Sequence, residues 1–172
     1  MAELNDLENK MNGYDAIVEI LKKEGFEWIA CFPANPLIEA AGKGGLKPIV
    51  FRQERGGIMA ADGYARMLAS QGKRGVFCSQ GGPGIENSFG GFAQAWAEGV
   101  PVLYLPAGSP ANVAEVKPNF DPQTNFAHIT KWHSSITKSS EISNQMRRAM
   151  AALKNGRPGP VLLEMRSDAM SV

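Results

Sequence analysis

Short apolar runs alternate with stretches of helical periodicity, and this alternation limits what the chain can fold into more than any other feature. The runs are Trp28 to Phe32, Ile49 to Phe51, Gly75 to Ser79, Val102 to Pro106 and Val161 to Glu164, each the length of a buried strand. From Met11 to Gly25, Ala16, Ile17, Ile20 and Leu21 recur at helical spacing, and Gly25 supplies a stop. Further helices are expected at Pro36 to Gly42, Gly56 to Ser70, Gly84 to Glu98 and Glu141 to Asn155. Parallel strands need crossovers, and crossover helices cover both faces of the sheet. The expectation is therefore an α/β fold, a three-layer doubly wound domain with a central, mostly parallel sheet of about six strands flanked by helices. Residues 11–172 form the domain, and the polar first ten residues read as a flexible leader.

Composition narrows the function classes. In 172 residues, 18 basic side chains balance 17 acidic ones, so the net charge of +1 provides no general attraction to nucleic acid or an anionic membrane. There is no apolar run of membrane-span length, and the start MAELNDLENK lacks the layout of a signal peptide. A cytoplasmic location is expected. Cys31 and Cys78 sit inside apolar runs and read as reduced core residues. The two histidines, His128 and His133, are five residues apart and have no ligand-type neighbour at helical spacing, so no metal site is expected.

In a parallel sheet, ligands bind beyond the carboxyl ends of the strands, so the turns after each run carry the information. They read Phe32-Pro33-Ala34-Asn35, Arg52 to Gly57, Gln80 to Gly84 and Ala107 to Pro110. The segment from Asn112 to His128 lacks clear periodicity and reads as a loop. Glu54 follows the strand IVF and precedes a small-residue helix, which points its carboxyl into a cleft where burial can keep it available for proton transfer. The competing reading is a solvated ion pair with Arg52 or Arg55. Gly81-Gly82-Pro83-Gly84 fits neither GxGxxG nor the Walker pattern, and it suits the close approach of a backbone or a flat ring. The stretches GGIMAADGYARML and Gly90 to Trp96 are rich in small residues, as a subunit or domain interface requires, although packing on their own sheet would use the same composition.

The order FPANP, RQERGGIMAADGYAR, GGPGIEN, EGVPVLYLPAGSP, ITKWHSSI, GRPGPVLLEMRSD resembles the N-terminal pyrimidine-binding domain of thiamine diphosphate enzymes, in its acetolactate synthase-like form. The likeness runs from about Gly13 to Asp168. It implies that Glu54 hydrogen-bonds N1′ of the cofactor's aminopyrimidine and relays the proton that activates C2 for attack on a 2-keto acid. It also implies that Gly82, Pro83 and Gly84 lie against the pyrimidine, that Phe32 and Pro33 line the site, and that Asn87 follows the turn. Lys131 and Trp132 match a stretch near the family's substrate entrance.

The same resemblance implies partners. The cofactor, thiamine diphosphate, is shared with a diphosphate-binding domain or subunit, which binds the Mg²⁺, so a homo- or hetero-oligomer is expected. Ala61-Asp62-Gly63 with Asn87 downstream is a near-miss for that Mg²⁺ motif, and it is rejected because Ala61 replaces a glycine and the triplet falls inside a helix. Two departures from synthase-type members stand out: Arg55 replaces the usual glutamine after the glutamate, and Gly81 the serine before Gly-Pro-Gly. The function expected is the pyrimidine-binding half of a lyase or carboligase acting on a 2-keto acid. The alternative is a non-catalytic dimerisation or regulatory module of the same fold.

Overall fold

The computed structural model describes residues 11–171. Its strands are β1 (Trp28–Cys31), β2 (Lys47–Val50), β3 (Gly75–Ser79), β4 (Val102–Gly108), β5 (Trp132–Ile136) and β6 (Val161–Arg166). The helices are α1 (Gly13–Lys23), α2 (Leu37–Lys43), α3 (Glu54–Met67), α4 (Pro83–Ala97), α5 (Pro122–Phe126), α6 (Ile142–Lys154) and α7 (Ser167–Met170). The strands form one sheet in the order β2-β1-β3-β4-β6-β5, and every described pairing is parallel.

Period-two alternation divides the core between the two faces of the sheet. Ile29, Cys31, Val76, Cys78, Leu103 and Leu105 point to one side, where α1, α2 and α6 supply Ile17, Leu21, Leu37 and Met146. Ala30, Phe77, Val102 and Tyr104 point to the other, where α3, α4 and α5 supply Ile58, Ala61, Phe92 and Phe126. This is the expected three-layer fold, with a sheet that is parallel throughout. Cys31 and Cys78 are register partners on neighbouring strands, both buried and unbridged. No described helix is long and apolar enough to cross a membrane.

Two elements depart from the sequence reading. The loop expected from Asn112 to His128 contains the short helix α5, which Asp121 caps by accepting a hydrogen bond from Gln123 N at 2.9 Å, with Pro122 in the first turn. That Asp-Pro start was visible, but one and a half turns are too short to show periodicity. The sixth strand, β5, was counted but not placed, because WHSSI is an edge strand with one fully buried residue and lacks the apolar run of the others.

The chain leaves β1 outward to β2 and returns across β1 to β3. The winding reverses there, between β1 and β3, which opens a crevice at their carboxyl ends. The turns after β1, β2 and β3 carry Phe32 and Pro33, Glu54, and Gly81 to Gly84, so the topology gathers these three segments at one end of the sheet.

Candidate active site at the switch point

Glu54 is the first residue of α3, which starts two residues earlier than the sequence reading placed it. It is only 2% exposed, although it stands at a helix end among the exposed residues Arg52, Gln53 and Arg55. The ion pair with Arg52 or Arg55 is not formed. Its described partner is instead Asn87, whose Nδ2 donates to Oε2 at 3.2 Å from the first turns of α4. Among the described residues no donor reaches Oε1, which faces Gly84: a Cβ added there would stand 3.2 Å from it. The buried carboxyl thus has a single neutral donor among the described residues.

The turn against it is built on glycine for stereochemical reasons. Gly82 caps α4 with φ +54°, a conformation that side chains resist, and Pro83 occupies the next position, where its missing N–H costs nothing. Nothing lies within 4 Å of a Cβ placed on Gly82, so this backbone faces open space on the cleft side. At Gly81 a Cβ would come 2.8 Å from Ala107 O, so the backbones of the β3 and β4 turns touch. The turn thus presents bare backbone beside a buried carboxyl. A flat aromatic ring fits such a surface, because no side chain keeps it away.

Phe32 N donates to Cys78 O at 3.1 Å, which fixes the loop carrying half-buried Phe32 and exposed Pro33 to the end of β3. Asn35, which the sequence reading quoted in its turn without giving it a role, completes the tie. Its buried Nδ2 donates to Ser79 O at 2.8 Å and Leu105 O at 3.1 Å, while its Oδ1 accepts from Leu37 N at 3.0 Å. One side chain therefore binds the β1 loop to the ends of β3 and β4 and starts α2.

Glu164 is a second buried acid that sequence reasoning missed, because it reads as part of the apolar run VLLEM. It borders a cleft of about 200 Å³ together with Gly81, Gly82, Gly108 and Phe120. Burial pushes its carboxyl above the ordinary range, while the Ser135 hydroxyl that donates to it and the nearby Arg166 pull the other way. Lys131 and Trp132 are not brought to the switch point. They lie at the amino end of β5, where Lys131 donates to Asn155 O and Arg148 stacks 5.4 Å above the Trp132 ring. Asp62 is taken up by Arg66, with Arg66 Nη2 donating to Oδ2 at 3.3 Å, so Ala61-Asp62-Gly63 offers no open carboxylate. Among the described residues no three His, Cys, Asp or Glu side chains converge as metal ligands would.

Fold and site together define a doubly wound α/β domain with a buried carboxyl facing a bare glycine turn at its switch point. Comparison with known proteins identifies the class further. A family model described as "Thiamine pyrophosphate enzyme, N-terminal TPP binding domain" matches residues 11–130, and the chain belongs to that family. It is 34% identical to a probable acetolactate synthase large subunit of Methanocaldococcus jannaschii, over 92% of this chain and 27% of the relative. It is 32% identical to acetolactate synthase isozyme 2 large subunit of Escherichia coli, over 92% of this chain and 29% of the relative. For the acetolactate synthase large subunit of Lactococcus lactis the identity is 31%, over 96% of this chain and 29% of the relative. The chain thus spans less than a third of the length of these relatives.

Proposed function

We propose that this chain supplies the pyrimidine-binding half of a thiamine diphosphate-dependent lyase or carboligase acting on a 2-keto acid. The observation that carries the reading is the Glu54 carboxyl, buried against Gly84 with Oε1 free, in a domain of this family. When bound, thiamine diphosphate supplies a ring that takes up the electrons released as a bond next to a carbonyl breaks. Glu54 would hold or pass a proton at Oε1 while Asn87 keeps Oε2 in place. Gly82, Pro83 and Gly84 would hold the pyrimidine, and Phe32 and Pro33 would close the side of the cleft. The diphosphate and its Mg²⁺ belong to a partner diphosphate-binding domain or subunit, in a homo- or hetero-oligomer.

The test is hydrogen–deuterium exchange at C2 of the bound cofactor in the assembled enzyme. Glu54→Gln keeps the shape and removes the titrating proton, so exchange should slow by about 10²–10⁴, the range for losing general acid–base help. Equal rates in the two forms would remove Glu54 from the chemistry and favour a non-catalytic module.

A further inference from the structure

Beneath the glycine turn, three hydroxyls lie in a part of the core that is otherwise apolar. Ser79, Ser88 and Tyr104 are all fully buried. The Tyr104 ring is stacked between Phe77 and Phe92, with centroids 5.4 and 4.5 Å away, and Phe126 packs at 5.9 Å. A phenylalanine would fill this place equally well, so the phenol oxygen calls for its own reason. Its partners supply one. Tyr104 Oη lies 2.7 Å from Ser79 Oγ and donates to Ser88 Oγ at 3.2 Å. Ser88 donates to Gly84 O at 2.7 Å, and Ser79 Oγ, 3.0 Å from Gln80 O, spends its one proton either there or on Tyr104 Oη. The continuous chain from Tyr104 thus ends on the carbonyl of Gly84, the last residue of the turn. Burial raises the phenol's pKa well above its usual value, so the hydroxyl keeps the proton it donates.

The turn is also where Glu54 is held. A Cβ on Gly84 would stand 3.2 Å from Glu54 Oε1 and 3.4 Å from Ser79 Oγ, so the carboxyl and the network flank the same residue. We infer that Tyr104 is a positioning residue: through Ser88 it holds the Gly84 end of the Gln80–Gly84 turn and so sets where Gly84 stands against the Glu54 carboxyl. This inference rests on the reading of Glu54 given above. The hydroxyl chain touches neither cofactor nor substrate.

The test uses two readouts. In the assembled enzyme loaded with thiamine diphosphate and Mg²⁺, Tyr104→Phe and Ser88→Ala should each slow C2 exchange about tenfold, short of the hundredfold that a misplacement of about 1 Å can cost. Cofactor affinity should stay within about twofold, because the groups removed do not contact it. The double variant should be no slower than the slower single one, since both cut the same chain. In the 172-residue chain itself, Tyr104→Phe should speed amide hydrogen exchange at residues 81–88 and leave β3 and β4 protected. Should Tyr104→Phe fail to fold, Ser88→Ala decides by the same readouts. Unchanged C2 exchange in these variants, with Glu54→Gln slow, overturns the positioning role alone. Unchanged exchange in Glu54→Gln overturns both readings, and amide exchange that rises evenly across the sheet reduces Tyr104 to core packing.

Discussion

At the scale of single residues, the site depends on what Gly84 lacks. An alanine there would bring a Cβ 2.6 Å from Gln80 Cγ, which is a flexible side chain, and 3.2 Å from Glu54 Oε1, which would have to shift by a few tenths of an ångström. Gly84→Ala should therefore fold, with a thermal midpoint near that of the parent because alanine is the better helix former. The cofactor's C2 exchange should nonetheless slow as the carboxyl is pushed aside. A parent rate in this variant would show that Gly84 does not set the position of Glu54. The buried acid Glu164 makes a pH prediction. Burial raises the Glu164 carboxyl, so the folded state holds that proton more tightly than the unfolded chain does. Its contribution is most favourable below the unfolded carboxylate pKa and is lost as pH rises through the raised folded value. Glu164→Gln should remove that dependence, so the variant gains stability relative to the parent as pH rises from the acid side to neutrality. Denaturant melts at several pH values check this, and parallel curves would refute it.

At the scale of elements, the small residues of α3 and α4 divide between two tasks, which composition alone did not separate. Gly57 admits the Phe77 ring and Gly91 admits Ile58, with added Cβ atoms only 2.5 and 2.4 Å away, so these two serve the domain's own packing. Gly63 has nothing within 4 Å, and the outer faces of the same helices leave Met59 at 46% and Phe89 at 39% exposed. Gly91→Ala should cost about 1–3 kcal/mol by overpacking against a branched side chain, read as a lower denaturation midpoint. Ala60 is half-buried on α3, and if the outer face of that helix forms an interface, Ala60 is the small residue there to test. Ala60→Leu should leave the midpoint close to the parent and weaken association seen by sedimentation, whereas unchanged association would take α3 out of the interface. Legibility followed the same division. β1, β3, β4, β6 and the long helices were readable because each buries a continuous stripe or run, whereas the edge strand β2 was readable from its apolar run although it leaves Ile49 and Val50 exposed. β5 and α5 were not, since an edge strand and a five-residue helix bury too little to leave a period. That Glu54, Gly82 and Gly84 stand just beyond the ends of β2 and β3 was legible from the order of the apolar runs. Asn35 and the Ser79–Tyr104–Ser88 network were not, because their partners are backbone carbonyls and side chains brought close only by the fold.

At the scale of the whole molecule, the switch point offers what one end of thiamine diphosphate needs and little of what the other end needs. The turn and Glu54 present bare backbone and a buried carboxyl, which under the proposed function would serve a planar heterocycle. A diphosphate with its Mg²⁺ requires several oxygen ligands converging on the ion and donors for the phosphate oxygens. Among the described residues no such acidic cluster forms, and the one Asp that resembled part of it is paired with Arg66. The curated relatives have more than three times the matched length, with the match covering 27% of the M. jannaschii protein, so they have ample chain for a second binding unit. If binding is shared in this way, the 172-residue chain by itself forgoes the charged half of the interaction. Calorimetry of the isolated chain with thiamine diphosphate and Mg²⁺ should then give weak heats and a dissociation constant above about 100 µM, a free energy near −5.5 kcal/mol. Omitting Mg²⁺ should change little, because the ion's ligands lie elsewhere. Adding a diphosphate-binding unit should tighten binding by orders of magnitude and make it Mg²⁺-dependent. Submicromolar, Mg²⁺-dependent binding by this chain alone would mean that it holds both ends of the cofactor, and the shared-site reading would fall.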